Sequence, residues 1–186
     1  MLSSVLASRL KKTLQHPKAD ETARSLFQAT ISAYQQERRP LIYIDESGFV
    51  HDMPRRYGYS LKGERCVGKH NWHAKGRTNV IGALYNHTLL TTCLYDTNID
   101  SDSFQAWIVK DLLPKVPKRS VLIMDNAAFH KREDIQTAIH QAGMTLEYLP
   151  PYSPDLNPIE HKWAQAKAIR RTHQCSVEDL FSLYPI

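Results

Sequence analysis

Leu41-Ile42-Tyr43-Ile44-Asp45 and Val121-Leu122-Ile123-Met124-Asp125 decide the fold of this chain. Each is a short β-rich run that stops at an aspartate, the pattern of a buried strand delivering a carboxylate at its end. Between them, Asn79 to Tyr85 and Leu89 to Tyr95 read as strands joined at Asn86-His87, a hairpin turn, and Asp102 to Leu113 reads as a helix stopped by Pro114. Upstream, Asp20 to Arg38 sets Ala23, Leu26, Phe27, Ile31 and Tyr34 at helical spacing, and Pro40 ends it. Downstream, Glu133 to Ala142 is a helix with Gly143 as its stop, and Thr145 to Leu149 is a strand. Pro150 to Pro158 is then a rigid proline-rich loop, followed by a helix from about Ile159 to Arg171. This order predicts an α/β fold with a mixed sheet flanked by helices.

The chain has 186 residues, enough for one well-packed domain; residues 1–39 read as a linker and lead-in helix and residues 40–186 as the domain itself. Composition is that of an ordinary globular protein, 42% hydrophobic and 23% charged, with no low-complexity tract or repeat. A net charge of +5 fits a polyanionic partner such as DNA without requiring one. Cys66, Cys93 and Cys175 are too few and too far apart for a disulfide framework or zinc ribbon, which fits a reducing cytoplasm. The apolar runs have strand length and exclude a membrane partner. Met1 to Ala19 lacks acidic residues and has the mixed apolar and basic character of either a presequence or an amphipathic lead-in.

Carboxylates placed after buried strands emerge together at one sheet edge, so Asp45 and Asp125 are candidates for shared chemistry. Each also suits a turn or cap. Asn157-Pro158-Ile159-Glu160 has two readings as well. Asn at the N-cap, Pro at the first helical position and Glu at the third make a capping box. The same placement sets Glu160 on the first turn of a rigid helix, whose dipole favours its ionised form and hence cation binding. In-line phosphodiester displacement needs charge relief at the attacking and leaving oxygens. Two Mg²⁺ ions roughly 4 Å apart supply it, and such hard cations prefer carboxylate oxygens. Asp45 is the natural bridging ligand, with Asp125 and Glu160 holding one ion each.

Three blocks then carry a family resemblance: Tyr43-Ile44-Asp45-Glu46-Ser47-Gly48-Phe49, Met124-Asp125-Asn126-Ala127-Ala128-Phe129-His130, and Leu149-Pro150-Pro151-Tyr152-Ser153-Pro154-Asp155-Leu156-Asn157-Pro158-Ile159-Glu160. Together they resemble the DDE transposases of the mariner superfamily, particularly the bacterial insertion-sequence branch; the 34 residues between Asp125 and Glu160 match that family's motif spacing. The resemblance implies a ribonuclease-H-like fold with Asp45, Asp125 and Glu160 as catalytic and metal-binding residues. It also implies two Mg²⁺ or Mn²⁺ ions, cleavage at transposon ends, strand transfer into TA targets, and a homodimer in the active complex. The family's helix-turn-helix modules have no counterpart here, so a separate N-terminal DNA-recognition polypeptide is a possible partner, and the bacterial nucleoid is the expected location. Alternative readings are another ribonuclease-H-like nuclease, and a non-catalytic DNA-binding or dimerising remnant.

Candidate DNA contacts fall in three places. From His51 to Arg77, basic residues including Arg55, Arg56, Lys62, Arg65, Lys69 and Arg77 interleave with Tyr57, Tyr59 and Trp72, as phosphate-binding and base-stacking groups do; a solvated basic hairpin is the other reading. His130 and Lys131 follow Asp125 and read either as contacts to the scissile phosphate or as residues of an exposed loop. Lys162, Lys167, Arg170 and Arg171 lie on the Glu160 helix, where a basic last turn also complements the dipole. Cys66, His70 and His73 lack an evident fourth zinc ligand, and Asp155 reads as a turn residue.

Overall fold

The computed structural model describes residues 17–52, 61–65 and 76–186. Its centre is a five-stranded mixed sheet in the order β3-β2-β1-β4-β5, with β1 at Leu41–Val50, β2 at Arg77–Tyr85, β3 at Thr88–Tyr95, β4 at Val121–Met124 and β5 at Thr145–Tyr148. β1, β4 and β5 run parallel, while β2 and β3 form an antiparallel meander on the other side of β1. Only two residues, Asn86 and His87, separate β2 from β3, and Asn86 takes a positive φ of 55°, which Asn tolerates in such turns.

β1 differs from the expectation that it ends at Asp45. It continues five residues further because Asp45 through Val50 pair with Gly82 back to Arg77 of β2. The apolar run stops where the strand stops being buried on both faces. The strand persists because its backbone still has a partner.

Alternation along the strands divides the core in two. Ile42, Ile44, Ile81, Ala83, Leu122 and Met124 point to one face, where they pack with α2 (Ser101–Trp107) and α3 (Glu133–Gln141). A wide π turn at Ile108–Leu112 continues α2, so the single helix expected there changes its winding half-way. Gly143 closes the α3 end in the left-handed conformation, φ 74°.

The opposite face is covered in two parts. Phe49, Val80 and Leu84 pack with Ile159, Trp163 and Ala166 of α4 (Ile159–His173), and with Val177 and Leu180 of α5 (Val177–Leu183), a helix the sequence reading did not anticipate. Val121, Ile123 and Leu149 pack with Phe27 and Ile31 of α1 (Glu21–Gln36). All four β4 side chains are therefore buried, each pair on its own face. Full burial of an Ile or Leu is worth about 1.5–3 kcal/mol, which makes β4 a firm support for the residue that follows it.

α1 starts at Asp20, whose Oδ1 accepts from the Thr22 and Ala23 amides at 2.9 and 3.3 Å. Phe27 and Ile31 face inward as expected, but Leu26 does not: it is 69% exposed, while Arg24 is buried and donates through both terminal nitrogens to Asp155, at 2.9 and 2.7 Å. Asp155 thus ties the proline-rich loop to α1 through a two-pronged ion pair, a tighter role than a turn residue.

Candidate active site

The parallel register of β1 and β4 pairs Tyr43 with Ile123. Carried two residues further, it sets Asp45, in mid-β1, beside Asp125 just past the carboxyl end of β4, where an α/β sheet opens to ligands. α4 enters on the same side, with Glu160 exposed on its first turn and Trp163 one turn on, facing the sheet. A cavity of about 430 Å³ is lined by Asp45, Asp125 and Glu160, with Asn126, Asn157 and the Leu149–Pro154 stretch as further wall.

Glu160 makes no capping box. The Asn157 amide, which a capping Glu would need, donates to the Pro154 carbonyl at 3.0 Å, and no side chain caps α4. The Glu160 carboxylate is consequently not occupied in holding the helix end.

Each aspartate is held from outside the cavity. Asp45 accepts from the Trp163 indole at 3.0 Å on Oδ2. Burial, reinforced by the nearby charges of Glu160 and Glu46, pushes its pKa up to about 7. The indole sits where β2 has no side chain: a Cβ at Gly82, Asp45's partner across the ladder, would lie 2.5 Å from Trp163 Cη2. Asp125 Oδ1 accepts from the Ala127 amide at 2.9 Å and lies 2.6 Å from His130 Nδ1. The His130 bond holds Asp125 below the ordinary carboxylate value.

His130 reverses the expectation of a DNA contact. It is fully buried, its ring packed against Phe104 and Phe129, and its Nε2 is 2.9 Å from Glu46 Oε1. Burial alone would lower its pKa, but the two carboxylates outweigh it and raise the value to about 9. The imidazolium form donates to both. No nitrogen is left for a phosphate. Arg170 departs in the same way: it is buried and donates to the Val50, His51 and Cys175 carbonyls.

The other basic candidates lie on the surface or at its margin. Lys62, Arg65, Arg77 and Lys131 are exposed. Arg77 reaches Asn98 Oδ1 at 3.4 Å, and the Lys131 ammonium lies 5.9 Å from the Tyr148 ring centre. Lys162 and Lys167 are half-exposed on α4, the latter with its ammonium 5.4 Å from the Phe49 ring centre. Arg55, Arg56 and Lys69 lie outside the described residues, as do Cys66, His70 and His73 and the greater part of Met1 to Ala19.

Sequence reasoning missed Glu46, Gly82 and Trp163. Trp163 carried a signal, since it stands three residues after Glu160 and so shares its side of the helix.

The donor set suits hard divalent cations, because all three cavity carboxylates offer oxygen. Asn157, also in the wall, keeps a buried Oδ1 with no hydrogen-bond partner among the described residues, an acceptor for which hydrated cations provide donors. Among the described residues, no group of three or more His, Cys, Asp or Glu side chains is drawn close enough to hold a metal ion as it stands. Trp163 and His130 hold the two aspartates from outside, while like charge opposes closer approach.

Residues 40–180 match the family of DDE superfamily endonucleases. The chain belongs to that family. No curated protein matches this DDE chain. Among solved structures, it is similar to the Mos1 mariner paired-end complex with Mn at a TM-score of 0.67 and 16% identity, covering 87% of this chain and 52% of that one. The Mos1 transposase paired-end complex with left transposon end gives 0.65 and 14%, covering 88% and 54%. The Mos1 catalytic domain with Raltegravir and Mg gives 0.60 and 13%, covering 89% and 78%. These likenesses establish the ribonuclease-H-like fold. The chain spans about half the length of the first solved transposases it matches. Among the described residues, no helix is long and apolar enough to cross a membrane.

Proposed function

We propose that this DDE chain is a transposase catalytic domain that cuts DNA phosphodiester bonds and transfers strands. Asp45, Asp125 and Glu160 hold two Mg²⁺ or Mn²⁺ ions. The observation that carries this reading is the arrival of three carboxylates, from β1, from the end of β4 and from the first turn of α4, at the wall of one cavity. When bound, the ions supply charge relief at the attacking and leaving oxygens.

The chain's own residues do the rest. Asp45, beside Glu160 and Glu46, would be a metal ligand whose ionised form gains most from a cation. Asp125 and Glu160 would complete the ligand set, and Pro150, Pro151 and Pro154 stiffen the facing wall. Lys131, Lys162 and Lys167, with Lys62, Arg65 and Arg77 and the basic Arg55, Arg56 and Lys69, neutralise DNA phosphates.

The substrate is transposon-end DNA joined to TA targets. That is the chemistry implied by the three sequence blocks and consistent with Mos1 complexes that contain a transposon end. The blocks also support a bacterial insertion-sequence element acting in the cytoplasm at the nucleoid and a homodimeric active complex.

The test is nicking of element-end duplex with and without Mn²⁺. The unmutated chain nicks only with the metal, and Asp45→Ala, Asp125→Ala and Glu160→Ala each abolish nicking. Equal DNA binding with no cleavage by the unmutated chain would instead assign a non-catalytic DNA-binding remnant.

A further inference from the structure

His130 is the most completely buried ionisable side chain near the cavity, yet it does not line it. A histidine in such a place is costly to bury unless both ring nitrogens find partners. Both do. Nδ1 lies 2.6 Å from Asp125 Oδ1 and Nε2 lies 2.9 Å from Glu46 Oε1, so one ring bridges a carboxylate on β1 and the one just past β4.

Four further contacts remove its freedom. The ring centre stands 4.3 Å from that of Phe104 and 4.1 Å from that of Phe129. The His130 carbonyl accepts from the Tyr148 hydroxyl at 3.1 Å, and its amide donates to the Ala127 carbonyl at 3.1 Å. Glu46 is fixed in turn by β1, on the face opposite Asp45, because adjacent strand residues point to opposite sides. The result is a chain of contacts from the sheet, through Glu46 and His130, to the carboxylate that follows β4.

On Asp125, the Ala127 amide and His130 both engage Oδ1, and Oδ2 has no hydrogen-bond partner among the described residues. The carboxylate plane is therefore set from behind, with its second oxygen left for a ligand.

We propose that His130 and Glu46 act as a positioning pair that orients Asp125 for divalent-cation binding. This role rests on the metal-dependent reading above. Neither residue touches substrate; both act through Asp125, as hydrogen-bonded partners behind metal ligands do. Loss of such a partner weakens metal affinity by roughly 10- to 100-fold.

The experiment measures Mn²⁺ binding to the full chain, by loss of the free-ion EPR signal, alongside urea unfolding. The variants are His130→Ala, Glu46→Gln, Asp125→Asn and Ile139→Ala. Ile139 is buried on the same sheet face and lines no part of the cavity, so its truncation lowers stability without touching the pair. The expected result is Mn²⁺ binding weakened roughly 10- to 100-fold in His130→Ala. Glu46→Gln, which keeps its shape and should fold, loses affinity in the same direction but less. Ile139→Ala binds as the unmutated chain does despite its lower unfolding midpoint. Added imidazole, filling the vacated space, restores part of the affinity of His130→Ala.

Unchanged affinity in both His130→Ala and Glu46→Gln would overturn the positioning role alone. An equal loss in Ile139→Ala would also overturn it, because the effect would then follow stability. Failure of the unmutated chain to bind more Mn²⁺ than Asp125→Asn would overturn the metal-dependent reading together with this role.

Discussion

Replacing Asp45 by Asn should make the metal-free protein more stable while removing its proposed chemistry. Asp45 sits largely buried on the central strand with Glu160 and Glu46 close by, and its pKa rises from 3.8 to about 7. Each tenfold weakening of an acid corresponds to about 1.36 kcal/mol, so ionised Asp45 costs the folded state roughly 4 kcal/mol, or roughly 2–4 after allowing for residual solvent contact. The folded state holds this proton more tightly than the unfolded chain. The cost is therefore absent below about pH 3.8, grows as pH rises, and is complete above 7. Asn cannot ionise and can still accept from the Trp163 indole.

The assay is urea unfolding of both proteins in EDTA at pH 5 and pH 8. The Asp45→Asn substitution should add roughly 2–4 kcal/mol at pH 8 and about two-fifths as much at pH 5. Mn²⁺ should narrow the gap at pH 8 by stabilising only the unmutated protein. A variant that is no more stable at pH 8, or an advantage equal at both pH values, would refute the claim that Asp45 is held against ionisation.

Gly82→Ala drives a methyl group to within 2.5 Å of Trp163 Cη2, and should cost about 1–3 kcal/mol by overpacking, read by urea unfolding with a shift in tryptophan emission. Trp163→Phe keeps most of the bulk packed on Phe49 and Phe181 but loses the donor to Asp45; Mn²⁺ affinity should fall while the unfolding midpoint moves little. Arg24→Ala should cost about 1–3 kcal/mol near neutral pH by removing both hydrogen bonds to Asp155. The Arg24 bond holds Asp155 below its ordinary value, so this stabilisation is present above about pH 3.8 and is lost as pH falls through the depressed value. Unfolding midpoints compared at neutral and acidic pH would show the cost shrink.

The strands that deliver Asp45 and Asp125 were legible because each is apolar enough to be buried on two faces. The proline-rich block and Glu160 were legible because rigid turn chemistry leaves a sequence trace. What lay behind the aspartates was not. His130 looked like a loop residue, since nothing in Ala128-Phe129-His130-Lys131 reveals that Glu46, far away in sequence, waits for its second nitrogen. Burial of Arg24 depended on Asp155 arriving from another element, and the continuation of β1 past Asp45 depended on its β2 partner. Such pairings are made by tertiary structure, whereas periodicity registers only the side a residue would face. Gly82 was opaque for a related reason: the indole that fills its space comes from α4.

Asp45 and Glu46 are chemically alike and adjacent, yet the strand sends one to the cavity and the other to His130. A slip of β1 by a single residue would turn each of them to the other's face and also turn Ile42 and Ile44, both fully buried, away from their core face. The anchoring of those two isoleucines therefore works as proofreading: it rejects a mispairing that would turn both carboxylates away from their own tasks.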